Sequence, residues 1–211
     1  MVDYEALQEA LIEGDDDGLL EEVDALLDQK VAPVDIIAQG LMGAMDIVGE
    51  RFSTGEMFVP EVLMCASAMN QAVEWLHPLL EGMPVSRKGK VVIGTVKGDL
   101  HDIGKNLVAM FMDVSGYDVV DLGTDVPPEA FVQAVHDGAQ IVAMSALLTT
   151  TMPVMGKVVE ELERTGLRER VKVIVGGAPL TPEYAEEIRA DGYSKDAAGA
   201  VRLCAQLLAG A

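Results

Sequence analysis

The stretch Lys90-Val91-Val92-Ile93-Gly94-Thr95-Val96-Lys97-Gly98-Asp99-Leu100-His101-Asp102-Ile103-Gly104-Lys105 decides the fold. An apolar run at 90–96 gives way to a polar, glycine-flanked loop, and apolar residues then recur at helical spacing over 103–114. A strand without polar alternation is buried on both faces, as in parallel sheets covered by helices. The unit repeats downstream. Strands are predicted at 117–122, 140–146 and 171–175, with helices at 127–137, 152–165 and 182–190, then a short fifth strand near Gly192-Tyr193 and a last helix at 196–209. This βα series predicts a flavodoxin-like (Rossmann-like), doubly wound parallel sheet of five strands.

Upstream of residue 90 the period changes. Leu7, Leu11, Leu19, Val23, Leu26 and Leu27 recur at three- and four-residue spacing, and strand signals are absent. Gly14 to Gly18 separates a first helix from a second, Ala32-Pro33 starts a third, Ser53-Thr54-Gly55 ends it, and Pro60 opens a fourth. A polar, turn-rich connector spans 83–89. The chain therefore reads as an α/β protein with an N-terminal four-helix unit over 1–86 and a sheet domain over 87–211.

With 211 residues, half of them apolar, the chain can bury a sizeable core. Its two cysteines, Cys65 and Cys204, lie in apolar helical patterns without zinc-type or disulfide-framework spacing, and read as core residues. No stretch approaches the length of a membrane helix and no basic leader opens the chain, so a soluble, cytoplasmic protein without a membrane partner is expected. A formal net charge of −20 with few aromatic residues argues against a nucleic-acid partner.

In the strand order 2-1-3-4-5, ligands bind beyond the carboxyl ends of strands 1 and 3, where the winding reverses. The loops there are 97–105 and 145–151. Of the three histidines, only His101 falls at this crevice. An imidazole ligates a metal through one nitrogen while a carboxylate holds the other, and Asp99, two residues away, suits that task. A loop histidine simply hydrogen-bonded to a neighbouring aspartate would show the same spacing. Thr151 or Ser145 is placed to hydrogen-bond the carboxylate in turn. Glycines 94, 98, 104, 123, 176 and 177 cluster at predicted strand ends, and Gly176-Gly177, directly after a strand, has the best claim to a close-approach role. Ser145, Leu147 and Thr149 are further pocket candidates.

Asp99-Leu100-His101-Asp102-Ile103-Gly104, then Ser145-Ala146-Leu147, then Gly176-Gly177 resemble the DxHxxG, SxL and GG signature of vitamin B12-binding domains. The helical unit, with Gly49-Glu50-Arg51-Phe52 and Glu56-Met57-Phe58-Val59-Pro60-Glu61, resembles the cap that precedes that domain in the small corrinoid proteins of methyltransferase systems; the cobalamin-binding module of methionine synthase is similar. The resemblance implies a bound cobalamin or related corrinoid, with His101 as lower ligand to cobalt, Asp99 bonding the imidazole and Thr151 completing a relay. It also implies that Asp102, Ile103, Gly104, Ser145, Leu147, Thr149, Gly176 and Gly177 line the cofactor. Methionine synthase has serine where Thr151 stands, a departure that keeps the hydroxyl.

The function so implied is a methyl carrier, not catalytic alone. It would accept a methyl group on cobalt(I) from a substrate-specific methyltransferase and deliver it to a methylcorrinoid-dependent acceptor methyltransferase, with a reductive activator as third partner. A corrinoid-binding sensor without methyl transfer is the alternative. Met42, Met45, Met57, Met64 and Met69 invite a place over the corrin, but core packing explains most of them; Met57, Phe58, Val59 and Met64 are the residues expected over the cofactor.

Overall fold

A computed structural model describes residues 2–80 and 87–210. Residues 83–86 of the expected connector lie outside the described residues. The chain divides into two compact units, Met1–Ser86 and Arg87–Ala211.

Every regular element among the described residues of the first unit is a helix. Helix α1 (Glu5–Glu13) ends at Gly14, whose φ of +70° is the left-handed conformation that closes helices. Helix α2 (Asp16–Asp28) starts where the Asp15 carboxylate accepts the Gly18 N–H at 3.1 Å. The third helical stretch opens with Pro33 in α3 (Pro33–Asp35), runs through a π-helical segment, Ile36–Leu41, and continues as α4 (Met42–Thr54) up to left-handed Gly55. Helix α5 (Val59–Leu76) begins beside the Phe58 N–H, which donates to Glu61 Oε2 at 2.8 Å, and a 3-10 turn, His77–Leu80, follows. Leu7, Leu11, Leu19, Val23, Ile36 and Val62 are buried in this unit, as are Met45, Met57 and Met69. Of the residues expected to face a cofactor, Phe58, Val59 and Met64 are exposed; Met57 is instead core.

The second unit is a five-stranded parallel sheet in the order β2-β1-β3-β4-β5. Its elements are β1 (Lys90–Thr95), α6 (Ile103–Val114), β2 (Asp118–Asp121), α7 (Pro128–His136), β3 (Ile141–Ser145), α8 (Pro153–Arg164), β4 (Lys172–Gly176), α9 (Pro182–Glu187), β5 (Gly192–Tyr193) and α10 (Ala197–Ala209). The expected strands and helices are all present, with ends displaced by a residue or a few; a 3-10 turn at Arg168–Arg170 was not foreseen. Alternate strand residues point to opposite faces. Val92, Val142, Met144, Val173 and Val175 join a core with Phe131 of α7 and Val158 of α8. The residues between them, Val91, Ile93, Ile141, Ala143 and Ile174, are buried too, on the face where α6 and α10 pack together. Burial on both faces is why these strands lack polar alternation.

Register places the site. Thr95, the last residue of β1, pairs with Ser145, the last of β3, which pairs with Gly176, the last of β4. Three neighbouring strands thus end level, and the loops 96–102, 146–152 and 177–181 leave from one edge.

Candidate functional site

Asp99 organises this edge. Its carboxylate is fully buried yet accepts hydrogen bonds from five donors. Oδ1 takes the His101 Nδ1 at 2.7 Å and the His101 backbone N–H at 3.2 Å. Oδ2 takes the N–H groups of Leu147 at 2.8 Å and Leu148 at 3.2 Å, and the Thr151 hydroxyl at 2.8 Å. That hydroxyl also lies 2.8 Å from the Leu148 carbonyl, but its single proton serves the carboxylate, the stronger acceptor. Burial alone would raise the Asp99 pKa; the bonds from His101, the Leu147 N–H and Thr151 outweigh it and hold the carboxyl below the usual aspartate range. Asp99 is therefore an anion inside the protein, stabilised by donors from both switch-point loops.

An ionised carboxylate can only accept, so His101 Nδ1 carries the proton and, in the neutral ring, Nε2 keeps its lone pair. The ring is about half exposed, with a side-chain exposure of 52%. Its main chain is fixed as well, since the buried Thr95 hydroxyl donates to the His101 carbonyl at 2.8 Å. The result is an oriented imidazole with one coordinating nitrogen open. Thr151 bonds the carboxylate and Ser145 does not, which decides between the two residues that spacing alone left open.

The other expected site residues divide by location. Asp102, Ile103 and Gly104 stand exposed at the start of α6, and Leu147 and Thr149 are exposed on the loop after β3. Ser145 and Gly176 close their strands, both partly exposed. At Gly177, φ is +137° and an added Cβ would stand 1.9 Å from the Ala146 carbonyl oxygen, so only glycine fits where the two loops meet. Gly94 differs from expectation: it lies within β1, where a Cβ would press on Phe131 and Val126 at 3.0–3.1 Å, and its bareness serves core packing.

Three contacts escaped the sequence reading. Thr95 was hidden as one more residue of an apolar strand. Buried Lys105 donates to Asp121 Oδ2, and exposed Asp125 accepts the Gly98 N–H at 2.7 Å. Their partners lie 16 and 27 residues away, with no local signal to connect them.

Among the described residues no group of three His, Cys, Asp or Glu side chains is placed to hold a metal ion. A single open imidazole fits a metal that arrives with its other ligands, as in a macrocycle. The surroundings suit a broad apolar ring: Leu100, Leu147 and Leu148 on these two loops and Ile103 at the start of α6 are exposed, Ile103 to 86%. A doubly wound sheet with one oriented imidazole and exposed aliphatic residues at its switch point defines the class of α/β proteins that bind a metal-bearing cofactor at the carboxyl edge.

Comparison with known proteins narrows the class. Residues 89–202 match the B12 binding domain family, and residues 4–77 match a second family model of the same description. The chain is 41% identical over 206 residues to a corrinoid protein of Desulfitobacterium hafniense (strain Y51), covering 96% of this chain and 95% of that one. It is 42% identical over 197 residues to the trimethylamine corrinoid protein of Methanosarcina barkeri, covering 92% and 91%. A cobalamin-binding protein from Desulfitobacterium hafniense DCB-2, known from its crystal structure, superimposes with a TM-score of 0.83 at 33% identity over 99% of both chains. A chain of the methanol:cobalamin methyltransferase complex from Methanosarcina barkeri does so with 0.84 at 32% identity, covering 98% of this chain and 79% of that one. The chain belongs to the B12 binding domain family of corrinoid proteins, and its cofactor is a cobalamin-type corrinoid.

Proposed function

We propose that the chain is a methyl carrier. It takes a methyl group from one methyltransferase, specific for a methylated substrate, and gives it to a second that serves an acceptor such as tetrahydrofolate or a thiol. The observation that carries the reading is the pairing of a buried, ionised Asp99 with the half-exposed His101 ring. Relatives named for trimethylamine and dimethylamine, and the neighbour named for methanol, support partner methyltransferases. A reductive activator is the third partner in this reading.

When bound, the corrinoid supplies a cobalt centre that takes up a methyl group and yields it again. The chain's residues hold and tune that centre. His101 offers Nε2 to the metal; Asp99 keeps the proton on Nδ1 and raises the basicity of the ring. Thr151 and the Leu147 and Leu148 N–H groups hold Asp99 as an anion, so its carboxylate would keep the imidazole in one tautomer and one orientation toward a bound corrinoid. Asp102, Ile103, Gly104, Ser145, Leu147, Thr149, Gly176 and Gly177 form the bed of the cofactor.

Reconstitution with hydroxocobalamin should give about one corrinoid per chain with the absorption spectrum of histidine-ligated cobalt. His101→Ala should weaken binding or abolish that spectrum; an identical spectrum in the variant would refute the ligand assignment.

A further inference from the structure

Asp125, the exposed residue of the loop between β2 and α7, has no part in the function proposed above. It is one of three non-glycine residues with left-handed backbone among the described residues, with φ +55°. Aspartate tolerates this conformation better than most residues, but it persists where surrounding contacts hold it. Here the contacts are reciprocal. Asp125 Oδ1 accepts the Gly98 N–H at 2.7 Å, and the Asp125 N–H donates to the Asp99 carbonyl at 3.0 Å. Gly98 is itself left-handed, at φ +87°. Beside this pair, the Leu122 N–H donates to the Ile93 carbonyl, the Thr95 N–H to that of Gly123, and the Val126 N–H to that of Thr95. The chain past the end of β2 therefore continues alongside β1 into the loop that bears His101.

The far end of that loop is tied to the same segment. The buried Lys105 ammonium bonds Asp121 Oδ2, and Asp121 Oδ1 accepts the Gly123 N–H at 2.8 Å. Residues 97–105 are thus gripped at both ends by 121–126, while residues 100–104 between the grips are exposed.

We propose that segment 121–126 is a strut that sets the attitude of the His101 imidazole, with Asp125 as its positioning residue. The inference rests on reading His101 as the cobalt ligand. A 2.7 Å bond between Asp99 and Nδ1 weakens when either partner moves by a few tenths of an ångström. The Asp99 carboxylate is fixed by Leu147, Leu148 and Thr151 on one side, but its backbone is fixed by Asp125 on the other. Without the Asp125 carboxylate the Gly98 N–H loses a charge-assisted bond, and the turn at Gly98 is left to the Asp125 N–H on the Asp99 carbonyl and the Thr95 hydroxyl on the His101 carbonyl, which hold it less tightly. The ring then samples orientations in which Nε2 no longer faces the metal. Asp125 touches neither His101 nor the carboxylate of Asp99, so its action is geometric.

The test uses full-length protein and three substitutions that separate backbone conformation from bonding. Asp125→Ala loses both, Asp125→Gly restores left-handed freedom without an acceptor, and Asp125→Asn restores both. Two readouts are taken: the ratio of histidine-ligated to histidine-free cobalt in hydroxocobalamin-loaded protein, from its absorption spectrum, and the NMR signals of the His101 ring in corrinoid-free protein. Asp125→Ala and Asp125→Gly should lower the ratio about ten-fold, the scale of one lost bond to a charged group, and shift the ring signals. Asp125→Asn, whose neutral oxygen still accepts the Gly98 N–H, should recover most of the loss in both. Ratios within two-fold of wild type with unmoved ring signals in all three variants would overturn the strut, as would failure of asparagine to rescue. If the wild type bound no corrinoid, the functional reading would fall, and the ring signals of the corrinoid-free variants would still decide the strut.

Discussion

Asp99 shows how one residue links stability to chemistry. Its carboxyl is easier to deprotonate in the folded chain than in the unfolded one, so the stability it contributes is fully present above the ordinary aspartate pKa of about 4 and is lost as pH falls below it. Asp99→Asn should lower stability near pH 7 by about 2 kcal/mol or more, since the amide keeps one neutral acceptor oxygen and turns an NH2 group toward donors that the second carboxylate oxygen served. The gap between variant and wild type should narrow as pH drops from 7 to 3, in urea unfolding followed at both pH values; a gap that did not change with pH would show that the carboxylate's charge has no part. At the same scale, Thr151→Ser keeps the hydroxyl that donates to Asp99 Oδ2 and should cost less than about 1 kcal/mol, whereas Thr151→Val should cost more by leaving an acceptor position empty. His101 and Asp99 were legible in the sequence because they are neighbours in a loop between two strong patterns. The choice of Thr151 over Ser145 depends on how the turn after β3 folds back, which spacing does not convey. Asp125 left no trace at all, because neither its left-handed backbone nor its bond to Gly98 has a local signature.

Among elements, the sheet was readable and the third helix was not fully so. Continuous apolar runs identify strands buried on both faces, and each predicted strand is found within two residues of its expected ends. The π-helical segment Ile36–Leu41 keeps the apolar spacing of an α-helix and so hides in the same pattern. Glycines were the least legible, because a bare position looks the same whether it faces a partner strand, a helix or open space. Two of them make opposite predictions. Gly177→Ala should destabilise the protein by about 3 kcal/mol or more, from a clash with the Ala146 carbonyl in a backbone region alanine avoids. Gly104→Ala has nothing within 4 Å of the new methyl group and stands in the first turn of α6, so the corrinoid-free protein should gain up to about 0.5 kcal/mol. The same variant should bind hydroxocobalamin more weakly, if Gly104 belongs to the cofactor bed. Thermal unfolding and a binding titration check the two halves, and unchanged affinity would remove Gly104 from the bed.

At the scale of the whole molecule, the two family matches, 4–77 and 89–202, fall on either side of the division between the compact units. The strands, the Asp99 cluster and the candidate cofactor glycines Gly104, Gly176 and Gly177 all lie beyond residue 87. A fragment of residues 87–211 is accordingly expected to fold alone and bind about one corrinoid, with a circular dichroism spectrum of mixed helix and strand; failure to bind would assign part of the site to residues 1–86. The two edges of the sheet have a further consequence. On one side β2 is four residues long with an exposed aspartate at each end, and on the other β5 is only two residues long. Neither flank presents a long apolar edge onto which another chain could add strands, and a net charge of −20 opposes close approach of copies. Chains without their cofactor are therefore expected to stay dispersed at concentrations where a long apolar edge would recruit its neighbours.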